Sequence, residues 1–283
     1  MADPEVPCFL EGTFLWGTLG YNYSKSPPVD LLAPSAFASK NPWIVLAAAL
    51  EHAKVGDHSR VRAVEKLIYI KERPSMLVRA AMELWGDAGT DEDLRPLQSM
   101  MIEGDDFLRE EACGAARCAG CLWLVPSMLE TWRRATHQLD RDTISCMLSQ
   151  LLEEESGPIA PGGDLSPSDY LEVVEKRIKE IRADLDTDGL PILAGKVFGV
   201  ISLAQKMYRL TRSDEELSTL QVLFLWLRHK FETSTGVDCS SFFKKGEFQP
   251  LSAAAILEEF LEGDGPEKYK EGVRYFFGHR IPD

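Results

Sequence analysis

Between residues 41 and 152, apolar side chains recur at spacings of three and four, in stripes broken by only about two to five residues. No other feature constrains the fold as strongly. A period near 3.6 describes helices with one buried face, whereas strands alternate with period 2. Breaks this short force consecutive helices to pack antiparallel. The stripes are Val61, Val64 and Ile68; Val78, Ala81, Met82 and Trp85; Leu94, Leu97, Met100 and Met101; Leu108, Ala112, Ala115 and Ala119; Val125, Met128, Leu129 and Trp132; and Ile144, Met147, Leu148 and Leu151. Residues able to cap a helix stand where most of them begin. Asn41 precedes a proline at the first helical position, and Ser75, Thr90 and Asp105 open later stripes.

The rest of the chain is punctuated differently. Residues 1–41 mix glycines, prolines and the aromatics Phe9, Phe14, Trp16, Tyr21 and Tyr23, which predicts an irregular lead-in or a short hairpin. The Gly/Pro-rich stretch 156–168 breaks the helical pattern and reads as a linker or a long loop. After it, Tyr170, Val173, Val174, Ile178 and Ile181 share a face, and further helices are predicted over 194–210, 213–231, 252–262 and 266–277. Ser213 with Glu216 fits a capping box, and the apolar run 222–227 predicts a helix buried on most sides. The predicted organisation is therefore a lead-in (1–41), a helical stack (42–155), the loop or linker (156–168) and a C-terminal bundle (169–283), which can be continuous with the stack. The fold class is all-α.

A thirty-residue echo lies within the stack. Val78-Arg79 and Leu108-Arg109 open similar helices ending in Ala88-Gly89 and Ala119-Gly120, and each is followed by a helix with an inner proline, Pro96 or Pro126. This grammar resembles degenerate HEAT repeats, helix pairs that stack side by side. The resemblance covers about 57–154 and implies a short solenoid and a protein-binding role.

Signatures of chemistry are sparse. Asp184-x-Asp186-x-Asp188-Gly189 matches the opening of a calcium-binding EF-hand loop, but position twelve, which needs a bidentate glutamate, is Gly195. Asp184, Asp186 and Asp188 stand as a weak metal alternative beside a plain acidic turn. Cys118-x-x-Cys121 has ligand spacing, yet no second pair completes a zinc site, so Cys113, Cys118 and Cys121 read as small core residues. There is no Gly-x-Ser-x-Gly turn, no phosphate loop and no His-Glu-x-x-His pair. The expectation is a chain that is not an enzyme and takes no cofactor.

Charge carries more. The net charge is −14, from 31 Lys and Arg against 45 Asp and Glu. Such a surface repels nucleic acid and anionic membranes and favours a basic partner. Asp87, Asp91, Glu92, Asp93, Glu103, Asp105, Asp106, Glu110 and Glu111 face only Arg95 and Arg109 over the same stretch. Stacked helix pairs would merge these acids into one ridge, the candidate partner-binding surface. The six cysteines and an opening 1–7 without a basic stretch before an apolar one predict reduced thiols in the cytoplasm.

The motifs Phe14-Leu15-Trp16-Gly17 and Tyr275-Phe276-Phe277-Gly278-His279-Arg280-Ile281-Pro282, enclosing an acidic helical body, resemble an immunity-protein family of bacterial polymorphic-toxin systems. That resemblance implies an antitoxin-type protein that occludes a cognate, basic toxin and performs no chemistry. It carries over no functional residue. A general helical scaffold without a toxin partner is the alternative, and a helical enzyme built on the Asp184 loop a distant third.

Overall fold

The computed structural model describes residues 5–14, 20–70, 75–154, 157–185, 189–213 and 217–282. The chain is all-α. In order, the helices are α1 (Pro42–Lys54), α2 (Glu65–Ile68), α3 (Ser75–Ala88), α4 (Asp91–Leu94), α5 (Pro96–Glu103), α6 (Asp106–Ala119), α7 (Val125–Arg134), α8 (Gln138–Leu152) and α9 (Pro167–Leu185). A hairpin of β1 (Ile192–Leu193) and β2 (Lys196–Val197) leads into α10 (Val200–Leu210) and α11 (Leu217–Thr235). A second hairpin, β3 (Phe243–Lys244) with β4 (Glu247–Phe248), precedes α12 (Pro250–Glu262), and a third closes the chain with β5 (Tyr275–Phe276) and β6 (His279–Arg280). Among the described residues, no helix is long and apolar enough to cross a membrane.

Contacts divide the chain into two compact units, 1–81 with 199–282, and 82–198. The described part of the Gly/Pro-rich stretch, 157–168, belongs to the second unit. It is tied down there: Ile159 is buried, its amide donates to Glu153 (3.1 Å), and its carbonyl accepts from the Tyr170 hydroxyl (3.3 Å).

In the second unit α5 packs on α6 and α7 on α8, while α5 also touches α7 and α6 touches α8. Consecutive helices pair, and like stacks on like. The predicted stripes are the packed faces: Leu97, Met101, Ala112, Val125, Met128 and Leu148 are fully buried. Pro96 and Pro126 are not inner prolines. A short helical turn precedes each, and each then stands in the first turn of a new helix, α5 or α7, where its missing N–H takes no bond away. Gly86 lets α3 approach α6 closely, since a Cβ there would meet the Ala115 carbonyl.

In the first unit α1 packs on the 3-10 segment His58–Val64, whose period of three puts His58, Val61 and Val64 on one buried face. Helix α10 packs on α11 and α12. The described part of the lead-in holds a 3-10 turn at Cys8–Leu10, another at Pro34–Ala38, and an isolated bridge between Thr13 and Gly20. Two predicted helices need correction. The segment 194–199 is the β1–β2 hairpin turn and its exit, so α10 starts only at Val200; 266–277 holds a 3-10 turn (Pro266–Lys268) followed by β5.

All three hairpins share one construction. Each has a two-residue turn whose residues both have positive φ: Ala194 (54°) and Gly195 (72°), Lys245 (52°) and Gly246 (82°), Phe277 (49°) and Gly278 (79°). This is the type I′ pattern, whose twist matches that of paired strands. Two of the turns cap helix ends. The Ala194 and Gly195 amides donate to the Gln150 and Leu151 carbonyls (3.0 and 2.7 Å) at the end of α8; those of Phe277 and Gly278 donate to Thr233 and Ser234 (2.7 and 2.9 Å) at the end of α11. The last carbonyls of a helix have no partner within it, and here an outside turn supplies the donors.

Candidate functional site

The acids between 87 and 111 all belong to the second unit, and the helix starts use several of them. Thr90 caps α4 in a reciprocal box: its hydroxyl accepts from the Asp93 amide (3.2 Å), while the Asp93 carboxylate accepts from the Thr90 amide (3.1 Å) and hydroxyl (2.9 Å). Asp93 is buried as a result. Asp87 and Glu111 are buried as well, so these three do not contribute to a surface ridge. Asp91 and Glu110 are half-buried. Glu92, Glu103, Asp105 and Asp106 are exposed. Asp105 caps α6 by accepting from the Leu108 amide (2.9 Å), and Asp106 pairs with Arg109 at 3.0 Å. The exposed acids therefore concentrate at the corner joining α5 to α6, with Glu92 a helix earlier. A carboxylate in the first turn of a helix meets unpaired N–H groups and the positive end of the helix dipole, so such acids are drawn inward by their own helices.

Asp184 is exposed in the last turn of α9, in helical rather than loop conformation; Asp186 and Asp188 lie outside the described residues, as do Ser213's predicted capping partner Glu216 and the motif residues 15–17. Gly195, at the twelfth position, is the second residue of a hairpin turn. Cys113, Cys118 and Cys121 are all buried, and burial pushes the Cys113 thiol up to about 12. A thiol held protonated is a core side chain rather than a ready ligand.

The first unit contains an ionic cluster that the sequence reading missed. Arg228 and Glu232, one turn apart on α11, form a buried pair at 3.1 Å. Asn22 of the lead-in donates to the other Glu232 oxygen at 2.8 Å. On α1, Lys54 pairs with Glu51 (2.8 Å), donates to the Tyr21 carbonyl (2.8 Å) and lies over the rings of Tyr23 (4.5 Å) and Phe277 (5.1 Å). Burial, partly opposed by Glu51, lowers the Lys54 ammonium. Burial raises the Glu232 carboxyl against the pull of Arg228, and burial together with Glu51 keeps the Tyr23 phenol protonated. Gly20 fits beside this pair because a Cβ there would approach the Glu232 carboxylate at 3.0 Å. The cluster fastens the lead-in to α1 and α11. A signal for it existed: Glu51–Lys54 on α1 and Arg228–Glu232 on α11 are opposite charges at helical pairing distance.

Described residues of the two short aromatic motifs meet beside this cluster. Tyr21 packs against Phe14 (5.6 Å) and Phe276 (5.6 Å), so described residues of both short aromatic motifs share one core. No family model matches the chain, and no match to it was found among curated proteins or solved structures.

Proposed function

We propose that the chain is a non-catalytic, antitoxin-type protein that binds a basic protein partner, in the first instance a cognate toxin. The observation carrying this reading is the acidic corner of the second unit, where Glu103, Asp105 and Asp106 stand exposed with Arg109 as the paired base. A chain of net charge −14 adds a long-range field of the same sign. Steering by such a field acts on association rate and fades as salt shortens the Debye length to about 8 Å and below. The aromatic motifs at the two ends supply the resemblance to toxin immunity; the paired, stacked helices of the second unit favour the alternative of a general binding scaffold.

The test is co-purification with the product of an adjacent toxin-like gene, followed by stopped-flow association. Glu92→Lys, Glu103→Lys and Asp106→Lys together should slow association at least tenfold at low salt, leave helicity unchanged and reduce protection in cells. Asp93 is left alone because its carboxylate holds the start of α4. Association at the wild-type rate with an unchanged salt response would overturn the acidic corner as the binding surface.

A further inference from the structure

A pocket of about 260 Å³ opens in the second unit between α7, α8, the start of α9 and the Gly/Pro-rich loop. Its floor is aromatic: Trp132 and Tyr170 stack at 4.2 Å with their planes 16° apart, and the Trp132 indole donates to Ser145 at 3.0 Å. Arg141 lies over the Trp132 ring, 5.2 Å from its centroid. In the same unit Arg109, Arg133, Arg134 and Arg177 each reach a carboxylate. Among the described residues Arg141 reaches none. Among those residues its side chain has no hydrogen-bond partner, and its Nε is buried without one. The neighbouring Asp142 is turned to Gln138, from which it accepts at 2.8 Å.

A guanidinium is always charged and presents a planar fork of donors. Here that fork stands over the Trp132 indole, half-buried, with no carboxylate matched to it among the described residues. Facing it are apolar groups (Leu165, Pro158 and Pro161) and two glycines, 162 and 163, whose amides make no hydrogen bond among the described residues. A planar acceptor pair on an apolar body complements that arrangement. The volume admits about one ring or one large side chain. Asp142 at the wall, and the net charge of −14, disfavour a dianion such as phosphate.

We propose that this pocket binds a monocarboxylate carried on a single apolar ring, its carboxylate taken by Arg141 and its ring lying among Leu165 and the loop prolines. A free aromatic acid and the C-terminal residue of a polypeptide both present that chemistry. The site is independent of the acidic corner and of the function proposed from it.

Isothermal titration of the full chain with 3-phenylpropionate, with 3-phenylpropanamide, and with a tetrapeptide ending in phenylalanine as free acid or as amide tests the proposal. Saturable binding is expected for at least one free acid, with the matching amide at least tenfold weaker. Arg141→Gln should lose at least tenfold with its circular dichroism and Tm unchanged. Leu165→Glu, which places a like charge at an exposed position on the apolar side, should lose as much and decides the matter if Arg141→Gln alters the fold. Binding of the peptide alone assigns the source to a chain end, and binding of 3-phenylpropionate assigns it to a small molecule. The absence of saturable heat with both acids, amides that match them, a variant that retains wild-type affinity in a folded state, or inorganic phosphate binding as tightly would overturn it.

Discussion

The three type I′ turns permit a comparison in which the backbone cost is constant and the surroundings are not. Replacing the turn glycine with alanine at 195, 246 or 278 puts a Cβ at φ of 72°, 82° or 79°. That conformation costs an L-residue about 1–2 kcal/mol, offset by roughly 0.4–1 kcal/mol of lost freedom in the unfolded chain. At Gly246 nothing lies within 4 Å of the new Cβ, and at Gly278 the nearest atoms are 3.5 and 3.6 Å away, ordinary contact. Both variants should therefore lose about 1 kcal/mol. At Gly195 the Cβ would stand 2.5 Å from the Leu152 carbonyl and collide with the Arg177 guanidinium. The turn must then lift from the end of α8. That weakens its two amide bonds to Gln150 and Leu151 and disturbs the Arg177 bond to Leu152 (2.9 Å), each worth about 1 kcal/mol net. Gly195→Ala should lose about 3–4 kcal/mol in total. Urea unfolding followed by far-UV ellipticity, with one midpoint shift per variant, measures the difference. Three equal losses would refute the claim that the β1–β2 turn caps α8.

Trp132→Ala should cost about 3–5 kcal/mol, because the indole is 6% exposed, stacked on Tyr170 and bonded to Ser145; a loss below about 1 kcal/mol in equilibrium unfolding would place that face in solvent. Glu232 has a raised folded pKa, so the folded state binds its proton more readily than the unfolded chain does. Its contribution is fully present below the ordinary carboxyl value of 4.5 and is lost as pH rises through the raised value. The stability difference between the wild type and Glu232→Gln should accordingly shift against the wild type as pH climbs through that window, and a pH-independent difference in urea titrations would contradict the buried ionisation.

The helix periodicity was legible because a packed face needs an apolar residue every third or fourth position, and each predicted stripe from Val78 to Trp132 proved to be buried. Caps at Asn41, Thr90 and Asp105 were legible for a similarly local reason: the bond runs from a side chain to an amide two or three residues on. The hairpins were not. Their turns read Ala-Gly, Lys-Gly and Phe-Gly, lacking the asparagine or aspartate that usually marks such turns, and two neighbouring segments had enough apolar residues to pass for helix.

The acidic stretch shows where reading along the chain stops. Nine acids in a run establish a charge density, and sequence alone established that, along with the all-α class. Which of them face water depends on whether a neighbouring helix start, a packed partner or solvent receives each carboxylate. Asp93 and Asp106 are both first-turn acids, yet one is buried in a capping box and the other exposed. The cluster of Lys54, Glu51, Asn22, Arg228 and Glu232 joins residues up to 210 positions apart, and the packing of Tyr21 on Phe276 joins residues still farther apart. Periodicity and capping are local and can be read from a few residues. Long-range pairing of charges and rings is chosen only when the folded chain closes those loops, and tertiary structure alone decided it.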